Sequence, residues 1–143
     1  MKVLFDTCII IDLLQRREPF FEDAHALCLA VASSTIKGCL TAKSATDIHY
    51  IMHNYLHDAE RTKKALSSLF TVFALLDTTG SDCKAALLSE TNDYEDAVLI
   101  STADRYGMDA IVTRNTHDFT RSPVPVYDPE ALRLRLKLEG AQS

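Results

Sequence analysis

The chain has 143 residues, 47% hydrophobic and 24% charged, a balance that suits one globular domain over residues 1–143 with a core that needs no disulfide or metal staple. Twenty acidic against 15 basic residues give a formal net charge of −5, which excludes a bulk cationic grip on nucleic acid but not an acidic pocket that recruits divalent cations. No C-x-x-C pair occurs among the four cysteines, and no apolar run approaches the ~18 residues of a membrane span, so the expectation is a cytoplasmic protein with reduced thiols, no structural zinc and no membrane association.

The elements alternate along the chain. Val3-Leu4-Phe5 is a short apolar strand ending at Asp6, and Ile9 to Leu14 follows as a short helix. Phe20 to Ser33 has apolar residues at helical spacing, namely Ala24, Leu27, Cys28, Val31 and Ala32. Gly38 to Thr41 is a brief strand. Ala45 to Leu56 is the clearest helix, with Ile48, Ile51, Met52, Tyr55 and Leu56 on one face. Arg61 to Phe70 reads as a helix, Val72 to Leu76 as a strand, and Ser81 to Ser89 as a helix. The helix from Tyr94 to Tyr106 closes at Gly107, which can take the left-handed conformation common after a helix end. Ala110 to Thr113 is a strand, and Val124 to Tyr127 is one for a sheet edge, because Pro125 lacks an N–H for the ladder. Asp128-Pro129-Glu130 has the form of a helix start, although Leu132, Leu134, Leu136 and Leu138 alternate with other residues at strand period; the capping signal favours helix.

Strands interleaved with helices predict an α/β fold with a central, mostly parallel sheet flanked by helices in three layers. Such sheets bind ligands at the carboxyl ends of their strands. Asp6 ends the first strand, and Arg114 to Asp118 follows the strand Ala110 to Thr113. Asp47 and Asp96 stand in the first turns of helices that begin on the same edge. Four carboxylates from four distant stretches therefore converge on one rim, where hard cations such as Mg²⁺ or Mn²⁺ suit oxygen-only ligands and can drive phosphodiester hydrolysis. Three of the acids also have a structural role open to them, whereas Asp6, a partly desolvated charge ending an apolar strand, needs a partner. Asp96 can sit at the third helical position behind the N-cap Asp93, Asp47 can answer a helix dipole, and Asp118 can be a turn residue.

Four stretches together resemble the PIN domain family, as in VapC-type toxin ribonucleases: Val3 to Thr7, Leu40 to Ile48, Asp93 to Ala97, and Ile111 to Phe119. The resemblance implies a Mg²⁺- or Mn²⁺-dependent endoribonuclease acting on RNA, a homodimer, and an antitoxin protein as partner. Carried over by position, Asp6 and Asp96 match metal-binding acids and Asp47 stands where the family usually has Glu. Asn115 stands where many members have a fourth Asp, so that Asp118 supplies the fourth carboxylate. Thr7 and Thr113 match flanking polar residues, and Cys8 takes a place commonly held by Asn.

Other features point elsewhere. His49, His53 and His57 recur every four residues, a helical metal spacing, but opposite the apolar face, where a solvated or interface role is the default. Arg16-Arg17, Arg61/Lys63/Lys64 and Arg133/Arg135/Lys137 read as solvated faces, whereas Arg114 is placed to meet an RNA phosphate. A phosphatase or phosphoacceptor domain would need a second acid beside the first strand, and Cys8 stands two residues after Asp6. The competing function is a catalytically weak or inactive PIN-like module that binds RNA or protein.

Overall fold

The structure, a computed structural model, describes residues 1–142, without the side chains of Leu138, Ala141 and Gln142. The Leu138 side chain, part of the alternating leucine pattern, thus lies outside what is described. The order of elements is β1 (Lys2–Phe5), α1 (Thr7–Leu14), α2 (Phe21–Ala32), β2 (Lys37–Thr41), α3 (Ala42–Leu56), α4 (Ala59–Val72), β3 (Ala74–Leu76), α5 (Gly80–Leu87), α6 (Tyr94–Arg105), β4 (Ala110–Val112), a short 3₁₀ turn (Thr116–Phe119), β5 (Val126–Tyr127) and α7 (Pro129–Gln142). The five strands form one sheet in the order β3-β2-β1-β4-β5, and every pairing is parallel. The predicted edge position of the Val124–Tyr127 segment is realised by β5.

Two-residue strand periodicity divides the core between the two faces. Val3 and Phe5 of β1, Leu40 of β2 and Val112 of β4 face a layer built from α1, α2, α3, α4 and α7, through Ile10, Leu27, Ile48, Leu66 and Leu132. Leu4, Cys39 and Ile111 face the opposite layer, where Leu99, Ile100 and Ala103 of α6 meet Phe119. The expected three-layer α/β architecture is therefore present. Gly38 permits a close approach of β2 to the layer covering it, since a Cβ there would stand 2.6 Å from Val31 Cγ2 and 2.9 Å from Phe73 Cδ1.

Helix ends follow their caps. Thr41 accepts from the Ser44 amide, Asp58 from that of Arg61, Asp93 from that of Asp96, and Asp128 from that of Ala131 at 2.7 Å, which starts α7 as a helix. Thr79 and Asp82 cap α5 reciprocally. Three local expectations are corrected. Val72 belongs to α4, because the Phe73 amide still bonds the Leu69 carbonyl, and β3 begins at Ala74. α3 starts at Ala42 rather than Ala45, because Thr41 serves as its cap. Tyr55, assigned to the apolar face, is 55% exposed, while Ile48 and Met52 carry that face into the core. The positive φ expected at Gly107 is present, at +65°.

Candidate metal centre at the carboxyl edge of the sheet

The carboxyl ends of β1 and β4 meet at Asp6. Its amide continues the ladder to the Val112 carbonyl, and its side chain caps α1 by accepting from the Thr7 amide at 2.8 Å. The Thr113 hydroxyl donates to the other carboxylate oxygen at 2.8 Å, and the Asn115 amide donates to that hydroxyl at 3.1 Å. The Cys8 thiol stands 3.7 Å from the same carboxylate oxygen. Burial raises the Asp6 pKa, opposed by the bonds from Thr113, Thr7 and Cys8. Burial, and then the Asp6 charge, push the Cys8 thiol up to about 11, which keeps it protonated.

A cleft of about 360 Å³ opens at this edge, lined by Asp6, Lys43, Asp47, Glu95 and Asp96 together with apolar residues of α3 and α6. Asp93 caps α6 through the Asp96 amide at 3.0 Å, and the Asp96 side chain lines the cleft. Burial, followed by the charges of Asp6, Asp93, Asp118 and Glu95, pushes the Asp96 carboxyl up to about 7. A carboxyl so crowded by like charge is a candidate functional group, since a nearby cation would relieve the crowding.

The expected four-acid convergence is only partly realised. Asp6 and Asp96 share the cleft, with Asp93 and Asp118 close enough to repel Asp96. Asp118 itself lines a neighbouring depression with Asp93 and Arg121, and its carboxylate lies 3.3 Å from His117 Nε2. Asp47 reaches the cleft but accepts a hydrogen bond from Lys43, which also donates to Glu95 at 3.2 Å. Burial works against the Lys43 charge, yet these bonds prevail and raise its pKa. Among the described residues, no three His, Cys, Asp or Glu side chains are grouped so as to cage one ion. Magnesium needs no such cage, because it ordinarily keeps several waters and takes one or two carboxylates. Asp6 and Asp96 fit that donor set.

A sequence model of the PIN domain matches residues 2–117. The chain belongs to the PIN domain family. No curated protein matches it by sequence. Among solved structures, this PIN domain is similar to a toxin–antitoxin complex from Klebsiella pneumoniae, at 25% identity over 89% of this chain and 97% of that chain, with a TM-score of 0.67. It is also similar in fold to FitAcB from Neisseria gonorrhoeae (19% identity, 90% of this chain and 98% of that chain, TM-score 0.67). DNA-bound VapBC from Salmonella typhimurium is comparable (18% identity, 90% and 98%, TM-score 0.66).

Within this PIN domain, Arg114 does not line the cleft. Its Nε and Nη2 donate to the fully buried Asp12 at 2.6 and 3.3 Å, and its guanidinium lies 4.0 Å above the Phe20 ring. Asp12 and Lys43 are the residues that sequence reasoning missed. A lone carboxylate inside the apolar run Ile9 to Leu14 signalled the first, and the four-residue spacing of Lys43 and Asp47 signalled the second. Of the histidine series, His49 is exposed, His53 is half-buried, and His57 ends α3 with φ +52°. Among the described residues, no helix is long and apolar enough to cross a membrane.

Proposed function

We propose that this PIN domain is a divalent-metal-dependent endoribonuclease that hydrolyses RNA phosphodiester bonds, as the toxin of a toxin–antitoxin pair. The observation that carries this is the pairing of Asp6 and Asp96 in one cleft, with Asp96 pushed up to about 7 by burial and by four surrounding carboxylates. Asp6 and Asp96 would hold Mg²⁺ or Mn²⁺. When bound, that ion supplies activation of water and charge neutralisation at the phosphate. Thr7 and Thr113 fix the orientation of Asp6, each donating to a different oxygen. Asn115 anchors the loop through its amide, and Asp93 and Asp118 hold the surrounding field negative. Asp47 acts through Lys43 rather than as a direct ligand. Arg114 becomes a positioning residue that ties the loop after β4 to α1, in place of the phosphate contact expected of it.

The antitoxin partner is supported by the solved toxin–antitoxin complexes that share this fold. A homodimer and a cytoplasmic location complete the same reading. The absence of a three-residue cage among the described residues favours a second reading, a non-hydrolytic RNA- or protein-binding module.

One experiment separates the two. Purified protein is mixed with single-stranded and structured RNAs in Mg²⁺, Mn²⁺ or EDTA, beside the Asp6→Asn/Asp96→Asn variant. The nuclease reading expects internal cleavage with metal and none in EDTA or with the variant. Cleavage that persists in EDTA or in the variant refutes it, and binding without any cleavage establishes the module.

A further inference from the structure

Lys43 is the one lysine or arginine, among the described residues, that lines the cleft with Asp6 and Asp96. It stands in the first turn of α3, where the helix dipole disfavours a cation, although its pairing with Asp47 one turn on offsets this. Its ammonium donates to Asp47 on its own helix and, at 3.2 Å, to Glu95, which neighbours Asp96 on α6. Asp47 and Glu95 are thus a second pair of carboxylates converging on a positive charge, and that charge belongs to the chain. The cleft has two poles: an acid-only pole at Asp6 and Asp96, and a neutralised pole at Asp47 and Glu95.

We propose that the Lys43 ammonium takes the place of a second divalent ion, so that the cleft binds a single such ion at Asp6 and Asp96 and presents Lys43 to the RNA phosphate as its other positive charge. The proposal rests on the nuclease reading above. Two-ion phosphodiester sites hold their cations about 3.5–4 Å apart and need carboxylates for both. Lys43 already engages Asp47 and Glu95, the other carboxylates lining the cleft, and its charge repels a second cation there. A lysine ammonium is a compact point charge suited to phosphate oxygens. It is held loosely enough to serve: the Glu95 side chain is 74% exposed and that of Lys43 is 36% exposed, and ion pairs in water are weak. Turning from Glu95 to a phosphate therefore sacrifices little.

The test is Mn²⁺ binding to the full chain, followed by electron paramagnetic resonance of the free ion, in wild type, Lys43→Met and Lys43→Arg. Circular dichroism confirms that each variant is folded. Wild type and Lys43→Arg should bind one Mn²⁺ per chain and Lys43→Met two. In EDTA, the salt dependence of binding to a short single-stranded RNA should fall in slope by about 0.7 in Lys43→Met and be retained in Lys43→Arg. Two ions in wild type, a single ion in Lys43→Met, or an unchanged salt slope each overturn the proposal. Failure of the nuclease reading looks different: wild type then binds no Mn²⁺ at this site and cleaves no RNA in its presence, which overturns both.

Discussion

Replacing Asp12 by alanine probes what holds the loop after β4 in place. Asp12 is fully buried on α1, and two of its bonds come from Arg114, 102 residues away in sequence. The same loop carries Thr113, which orients Asp6, and leads into the 3₁₀ turn with Asp118. Removing one member of a buried ion pair costs roughly 3–5 kcal/mol, because the other charge is stranded. Arg114 keeps a quarter of its side chain in water and its stacking on Phe20, which places the loss near the lower end, about 3 kcal/mol. Urea unfolding should show it as a midpoint lowered by about 1.5 M, taking a denaturant slope of ~2 kcal/mol per M. An Asp12→Leu/Arg114→Met double variant should recover most of the loss, since apolar replacement of a whole buried pair is often neutral. A single variant that loses less than about 1 kcal/mol, or a double variant no more stable than the single one, would refute the reasoning.

The raised Asp96 pKa predicts pH-dependent stability in EDTA. A carboxyl near 7 in the folded chain, above its usual unfolded value, favours folding while protonated, so stability should fall as pH rises towards about 7 and stay low above it. Thermal melts from pH 5 to 8 should show this slope, Asp96→Asn should flatten it, and Mn²⁺ should raise the wild-type melting temperature most at the alkaline end. Asp82 should behave in the opposite sense. Arg105, held to both its oxygens at 2.9 Å, lowers its pKa, so its contribution is present above pH ~4 and lost as acid titrates it. Asp82→Asn should therefore destabilise at pH 7, and by progressively less only as the pH is taken well below about 4, as read by urea midpoints. Gly38→Ala drives a methyl into Val31 and Phe73 and should cost about 1–3 kcal/mol by the same assay, with the cleft chemistry unaffected.

Periodicity revealed the layers because each strand buries alternate residues against different helices, as Val3 and Leu4 do. Asp6 was legible because a charge ending an apolar strand needs donors, and Thr7 and Thr113 supply them. Sequence reasoning overreached at Arg114, where proximity to the edge suggested a phosphate contact. Its partner Asp12 is joined to it only by the fold. Asp47 was recognised as a carboxylate at the edge, but the state of its oxygens depends on Lys43, whose second partner Glu95 is 52 residues distant. Val72 carried strand propensity that the last hydrogen bond of α4 overrides. The Thr116–Phe119 turn is too short to have a period at all.

Crystals grown with Mn²⁺ and measured for anomalous scattering above the manganese edge would locate the cation directly. The account predicts a single anomalous peak in the cleft, within coordination distance of Asp6 and Asp96, and no density between Asp47 and Glu95. A peak bound by Asp47 and Glu95, or an occupied ion elsewhere with Asp6 and Asp96 left bare, would contradict it.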